Sequence, residues 1–450
     1  MEQRSFDRFF RSAPPEIDVE SIRREWLALP PSYRIDDRQL PLPVWARRGL
    51  TATGEQAWAV LSRDLGRIEP TRPFCIYVHI PFCASRCSFC DCYSFALRRY
   101  RTRHIEGYLA LLAQEMRLWS QLGTLAHRPV STVHFGGGTP TFLGEGPFAR
   151  LVQDVRESFG TDPHTEWALE STSSELTGEM FNALDGLGFT RLHVGVQSLQ
   201  DNVRQALNRR EPAATVLEKT ARAVAMGWVV SVDLLLGLPG QTLQGAMADI
   251  QALEDAGVEG FSLYELQLSS RNRRFAAQYG LVDKERLDHY LLLQAASRLL
   301  ASLGYRKTLF NHFARGHDTN LYFTFPERGE DCLALGTVAD GVFHDYHYRH
   351  PEYKAYCQSV GETFPGLQGG LRRSALENSL HVLETELLSA HISPDLFAKV
   401  LGEDRSDALF RRWREAALIE GDVLPNHVRL TGNGSWFVSR MMAELECVND

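Results

Sequence analysis

From about residue 73 onward, short apolar runs rich in Val, Ile and Phe alternate with longer stretches whose apolar positions recur every three or four residues. The short runs predict strands at Phe74–Ile80, Thr132–Phe135, Trp167–Glu170, Leu192–Val196, Val229–Leu235 and Gly260–Tyr264. The longer stretches predict helices at His104–Gln121, Pro147–Ser158, Ser174–Gly186, Asp201–Asn208, Ala213–Met226 and Leu243–Ala256. About six βα repeats of this kind argue an α/β fold with a parallel sheet and helices outside it. Right-handed crossovers would curl that sheet toward a partial (βα)6 barrel, with ligands at the C-terminal ends of its strands.

The flanks read differently. Residues 1–70 carry Pro, Arg and two short helical patterns, Glu20–Leu29 and Glu55–Leu65. They are expected to form an N-terminal extension that packs on the main domain or covers its mouth. Residues 284–304 predict a long amphipathic helix, and after about residue 310 the βα rhythm is lost. The chain then closes with helical patterns, the apolar run Val428–Thr431, a Gly-Asn-Gly turn and a final helix. This pattern predicts a small, mostly helical, winged-helix-like C-terminal domain. The expected organisation is therefore residues 1–70, 71–310 and 311–450.

Composition narrows the function classes. The 450 residues are 44% hydrophobic, enough for a large core, and the net charge of −8 comes with no long basic run, which argues against nucleic acid as a partner. Residues 1–12 lack the apolar segment of a signal peptide, and no stretch is apolar for long enough to span a bilayer. The expectation is a cytoplasmic protein without a membrane partner. Of eight cysteines, Cys83, Cys87, Cys90 and Cys92 fall within ten residues. In a long chain without an export signal, such density points to metal or redox chemistry.

Cys83-Ala84-Ser85-Arg86-Cys87-Ser88-Phe89-Cys90 has C-x3-C-x2-C spacing and directly follows the first predicted strand. Thiolates are soft ligands that suit iron–sulfur clusters. Three of them on one loop can hold three corners of a 4Fe–4S cubane and leave the fourth iron open. S-adenosylmethionine (SAM) can chelate that iron, and an electron from the cluster would cleave it to methionine and a 5′-deoxyadenosyl radical. Alternatives are a four-cysteine zinc site, which the x3 spacing matches poorly, a closed electron-transfer cluster using Cys92 or Cys75, or a set of structural thiols.

The segment Tyr77-Val78-His79-Ile80-Pro81-Phe82-Cys83 through Cys92 resembles the radical SAM family typified by oxygen-independent coproporphyrinogen III oxidase. That family also includes class C radical SAM methyltransferases, anaerobic haem-degrading enzymes and haem chaperones. The resemblance runs from about residue 73 to the C-terminus, so residues 311–450 would be an oxidase-like domain. It implies that Cys83, Cys87 and Cys90 ligate the cluster and that Cys92 does not. Tyr77 would stand beside SAM. Gly137, Gly138 and Thr139, within Gly136–Pro140, would hold its amino group and nearby backbone. Glu170, Gln197, Arg209 and Asp233 would complete the SAM site. After Glu170 the family usually continues with Asn or Asp and then Pro, whereas this chain has Ser171-Thr172-Ser173. Tyr264 and Glu265, at the end of the sixth strand, are the expected substrate contacts. Cys332–Gly336 resembles a Gly-containing loop near a second SAM, and His344–His350 is read as a polar loop ahead of two alternatives, a site for substrate carboxylates or a proton relay.

The resemblance implies a radical SAM enzyme acting on a small molecule, with one or two SAM molecules and a flavodoxin- or ferredoxin-type electron donor. Foremost is the class C type, in which a second SAM gives a methyl or methylene unit to an sp2 carbon. The alternatives are tetrapyrrole chemistry, meaning coproporphyrinogen III decarboxylation or haem ring-opening methylation, and a haem-binding chaperone. The segment Asn311–Arg315 and Cys92 resemble the oxidase, and Asn320-Leu321-Tyr322 the haem-degrading enzymes.

Overall fold

Each of the six expected strands forms: β1 (Phe74–Ile80), β2 (Val130–Gly137), β3 (Glu166–Ser171), β4 (Arg191–Gln197), β5 (Val229–Leu236) and β6 (Gly260–Glu265). They lie side by side in chain order and all pair in parallel. The helices between them are α1 (Thr102–Ser120), α2 (Glu145–Ser158), α3 (Gly178–Gly186), α4 (Asp201–Ala206), α5 (Ala213–Ala225) and α6 (Leu243–Asp255), followed by α7 (Arg286–Ser302). The computed structural model describes residues 6–446 apart from 8, 12, 16, 35–39, 68, 70, 98–101, 267, 282–285 and 421–426. Cys447 and the first two residues of the expected helix over 284–304 therefore lie outside the described residues.

The local causes are ordinary. In β1 every residue except Tyr77 is buried, as expected of a strand covered on both faces. Helix α1 buries Ile105, Tyr108, Leu109, Leu112, Met116 and Trp119, a stripe at three- and four-residue spacing. Thr177 caps α3 by accepting from the Met180 amide, and Thr242 caps α6 through Gly245. Residues 173–175 form a separate 3-10 turn, which delays the start of α3 from the expected Ser174 to Gly178.

Beyond β6 the regular βα rhythm gives way, but the chain continues to add strands to the same sheet. After β6 the chain forms β7 (Arg306–Leu309) and β8 (His312–Ala314), and β8 pairs antiparallel with β6. It then returns to the other side of the sheet as β9 (Asp331–Leu335), which lies parallel to β1 with Asp331 opposite Phe74 and Leu335 opposite Val78. The parallel layer thus has seven strands and stays open, which is the partial barrel. The expected loop at Cys332–Gly336 is instead this buried strand, with only Gly336 beyond it. Four short apolar residues without a β-branched side chain carry little strand signal in sequence.

The expected polar loop at His344–His350 is also corrected. β10 (Asp340–Phe343) and β11 (Tyr346–Arg349) form a hairpin that continues through β12 (Gly369–Arg372) to the edge strand Ala52–Thr53. His347 stacks on Trp45 with ring centroids 3.6 Å apart, and buried His350 lies 2.7 Å from Glu115. These histidines are packing and hydrogen-bonding groups of the sheet.

The N-terminal helices Val19–Ala28 and Gly54–Asp64 match the two expected patterns, the second closed by a capping box of Thr53 and Gln56. Trp26 packs on Tyr290 of α7 at 4.8 Å, and Asn433 donates to the Glu25 carbonyl at 2.6 Å. Near the C-terminus His391–Ile392 pairs with Val428–Arg429 among helices. The expected Gly-Asn-Gly turn is the start of a helix, Gly432–Trp436, whose cap Thr431 accepts from the Gly434 amide. A Cβ on Gly434 would fall 2.0 Å from the Leu418 carbonyl oxygen, so glycine there serves close packing of two chain segments. Among the described residues no helix is long and apolar enough to cross a membrane.

Candidate active site at the strand ends

Where β1 to β5 end, their C-terminal residues and the loops beyond enclose a pocket of about 540 Å³. Cys83, Cys87, Cys90 and Cys92 form one wall; Gly137, Gly138, Thr139, Glu170, Gln197, Arg209 and Asp233 line the rest. No described residue of the first 70 lines it.

The cysteine loop is pinned at several points. The short strand Phe82–Cys83 pairs with Phe95–Ala96, and a turn joins the Cys90 amide to the Cys87 carbonyl at 3.2 Å. Asn208 donates to the Arg86 carbonyl, and Asn272 to that of Phe89. The thiols are not equivalent. Burial pushes Cys83 up, although the Thr139 hydroxyl lies 3.5 Å from its sulfur. Cys90 is brought down to about 6 by its hydrogen bond with Cys92, helped by the positive charges of Arg86 and Arg209. Among the described residues, no three His, Cys, Asp or Glu side chains are arranged to hold a single metal ion.

The Gly136–Gly138 run needs its glycines because β2 ends hard against β1. Gly137 has φ +104, and a Cβ there would meet the His79 ring at 2.5 Å. The freed backbone amide donates to Glu170 Oε2 at 3.2 Å. Glu170 Oε1 lies 3.1 Å from Nε2 of buried His134. Burial alone would raise the Glu170 carboxyl; the hydrogen bonds from His134 and the Gly137 amide outweigh it and hold Glu170 below the usual range. Asp233 goes the other way, to about 7, because burial and then the Glu170 charge outweigh Ser262 and Arg209. Two carboxyls in one pocket thus favour different protonation states near neutral pH.

Gln197 sits at φ +67 where the β4–β5 register slips between Gly195 and Gln197. Such a bulge re-aims a side chain at a strand end. Arg209 donates to the Gly195 carbonyl and lies over the Phe89 ring, 5.6 Å from its centroid. The structure brings ten of the thirteen expected site residues to this pocket and leaves Tyr77, Tyr264 and Glu265 apart from it. Tyr77 stands one layer down, its hydroxyl 3.1 Å from His79 Nδ1 and its ring 4.8 Å from Tyr322. Tyr264, late in β6, is 40% exposed. Glu265 faces His289 at 3.9 Å. None of these three lines the cysteine pocket.

His134 and His193 were not among the expected site residues. His193 lines the pocket, and burial brings it down to about 3, so it is neutral. The available signal was slight: each histidine stands two residues before a glycine late in its strand, Gly136 or Gly195, and positions two apart on a strand share a face.

The family model of the radical SAM superfamily matches residues 77–253. Oxygen-independent coproporphyrinogen III oxidase of Salmonella typhimurium is 30% identical over 322 residues, covering 67% of this chain and 68% of that protein. The chain belongs to this radical SAM family. Anaerobilin synthase of Escherichia coli O157:H7 is 26% identical over 435 residues, 93% of this chain and 95% of that protein. The solved structure of coproporphyrinogen III oxidase (HemN) from Escherichia coli shares the fold, with a TM-score of 0.76, 24% identity, and coverage of 88% of this chain and 95% of that one.

As a radical SAM enzyme the protein uses a 4Fe–4S cluster and SAM. The donor set fits. Three soft thiols share a pocket wall, one of them already near its thiolate form, and backbone amides and an ionised carboxylate stand across from them. When bound, the cluster supplies the electron that cleaves SAM.

Proposed function

We propose that the protein is a radical SAM enzyme that acts on a tetrapyrrole. The observation that carries this reading is the co-extension with anaerobilin synthase, which reaches beyond the barrel into both flanks and covers nearly all of each chain. In this reading Cys83, Cys87 and Cys90 hold the cluster. Glu170 accepts from the SAM amino group, with the Gly137–Thr139 backbone beside it. Arg209 meets the SAM carboxylate, while Gln197 and Asp233 face the rest of the molecule. Arg86 and Arg210, which also line the pocket, give its mouth a positive charge that suits the propionate groups of a tetrapyrrole. Tyr264 and Glu265 lie outside the pocket and serve a substrate that extends past its rim. A flavodoxin- or ferredoxin-type protein supplies the electron.

Methyl or methylene transfer from a second SAM to an sp2 carbon is compatible with a tetrapyrrole, whose ring carbons are of that type. Oxidative decarboxylation is the second reading, favoured by Cys92 standing two residues after Cys90 and by the 30% identity to the oxidase. The test is an anaerobic assay of reconstituted, reduced protein with SAM and either haem or coproporphyrinogen III. Mass spectrometry follows 5′-deoxyadenosine, S-adenosylhomocysteine and pigments. A methylated or opened ring together with S-adenosylhomocysteine supports methyl transfer. A vinyl product without S-adenosylhomocysteine supports decarboxylation. 5′-Deoxyadenosine with both tetrapyrroles untouched overturns the tetrapyrrole reading.

A further inference from the structure

The cysteine loop leans on a segment beyond β6 that has no part in the pocket. Asn272, almost wholly buried, donates to the Phe89 carbonyl at 3.0 Å. Arg271 donates to the Asp91 carbonyl at 2.7 Å, and its guanidinium lies 5.5 Å from the centroid of the Tyr93 ring. The short helix Arg273–Gln278 buries Phe275 and Ala276 in a small apolar cluster, and Phe89 packs against that same cluster. The segment thus grips the loop on both sides of Cys90, yet none of residues 268–279 lines the cysteine pocket.

The solvent side of this segment carries charge of one sign. Residues 268–279 hold three arginines and no acid, in a chain whose net charge is −8. Arg271, Arg273 and Arg274 are all exposed. Arg273 and Arg274 make no ion pair or side-chain hydrogen bond among the described residues. The acid that touches the segment, Asp91, already accepts from the Ser269 hydroxyl. Beside the arginines two large apolar side chains face water, Leu268 at 49% exposure and Tyr279 at 39%. Apolar residues bordered by charge are the anatomy of a protein–protein interface.

We propose that the face formed by residues 268–279 is the docking site for an acidic electron-transfer protein that reduces the cluster. It rests on the proposed reading of a flavodoxin- or ferredoxin-type donor. SAM and substrate occupy the pocket side of the cysteine loop, so an electron that arrives while they are bound needs another approach. This segment provides one, through its contacts with the loop at Phe89 and Asp91. One electron leaves the donor and one is gained by the cluster, and no bond between heavy atoms changes. The exposed arginines attract an acidic partner at long range and speed the encounter. Electron-transfer partners meet over small areas, below about 1,200 Å² in all, so a short segment with two apolar side chains suffices and still lets the partner leave. Arg86 and Arg210 line the pocket and remain with the substrate.

The experiment titrates oxidised, acidic flavodoxin, and separately ferredoxin, into the anaerobically reconstituted protein. Calorimetry reads the dissociation constant at about 50 and 300 mM salt. Arg273→Glu with Arg274→Glu should weaken binding roughly tenfold at the lower salt and remove most of its salt dependence. Both positions open a helix, where glutamate suits the helix dipole, so the variant should fold. Arg411→Glu with Arg429→Glu makes the same change in net charge in the C-terminal region and should bind as wild type does. SAM cleavage without any tetrapyrrole supplies the second readout. With limiting reduced flavodoxin the Arg273/Arg274 variant should be slower by a similar factor, and with dithionite it should match wild type. Equal affinities in the two double variants overturn the proposal. So does an equal loss of cleavage with dithionite, which would show that these arginines support the cysteine loop itself. Wild type that binds neither flavodoxin nor ferredoxin would sink the reading of the donor, and the docking face with it.

Discussion

Replacing Glu170 with Gln tests the centre of the site. The carboxylate takes a bond from His134 Nε2 at 3.1 Å on one oxygen and from the Gly137 amide at 3.2 Å on the other. In Glu170→Gln one of these oxygens becomes an NH2 group aimed at a donor. A hydrogen bond to a charged group is worth about 1.5–3 kcal/mol. The Glu170 side chain is 33% exposed, which places the loss toward the lower end, about 1.5–2 kcal/mol. At about 1.4 kcal/mol per tenfold, the SAM dissociation constant should rise roughly 10- to 30-fold. Equilibrium binding of SAM to anaerobically reconstituted protein reads this directly, with iron content as the control. Because the Glu170 carboxyl is held low, its contribution is present above the ordinary carboxylate range and is lost as pH falls through the folded value. The variant should therefore differ from wild type by a constant factor between pH 6 and 8. Affinity within twofold of wild type at full iron content would refute the assignment.

Three further outcomes follow from the same geometry. Asp318→Asn leaves the buried Arg191 guanidinium without its closest anion and should destabilise the fold by about 3–5 kcal/mol in urea unfolding; a loss below about 1 kcal/mol would show that the pair is dispensable. Asp233 has a folded value of about 7 against 3.8 for an ordinary carboxyl, so the stability of its neutral form is full below about 4 and is lost as pH rises to about 7. Asp233→Asn should accordingly gain melting temperature over wild type as pH rises through that window and hold a constant gain above it; a pH-independent difference would contradict the raised value. Cys87→Ala should abolish four-iron incorporation whereas Cys92→Ala should retain it, and equal iron contents in the two would undo the ligand assignment.

The six core strands were legible because each is a short apolar run with polar or glycine punctuation, and a strand buried on both faces reads that way from its own residues alone. The cysteine loop was legible for a similar reason: three candidate ligands within eight residues are a local fact. The carboxyls Glu170 and Asp233 could be marked as site candidates, since a charge inside an apolar strand needs a partner. Their partners could not be read, because His134, His193 and Ser262 come from strands far away in sequence. For the same reason β9 was missed. Its four apolar residues become a strand only through pairing with β1, more than 250 residues earlier in the chain, where the Arg128–Asp331 pair at 2.8 Å joins the segment before β2 to the start of β9. The sequence by itself determined the alternating architecture and the family and marked the candidate cluster ligands, all of which are written in contiguous stretches. Only the tertiary structure decided which side chains share a wall, which carboxyl keeps its proton and which histidine faces which carboxylate. Those properties depend on distances between strands and on the exclusion of water, and no stretch of chain carries them alone.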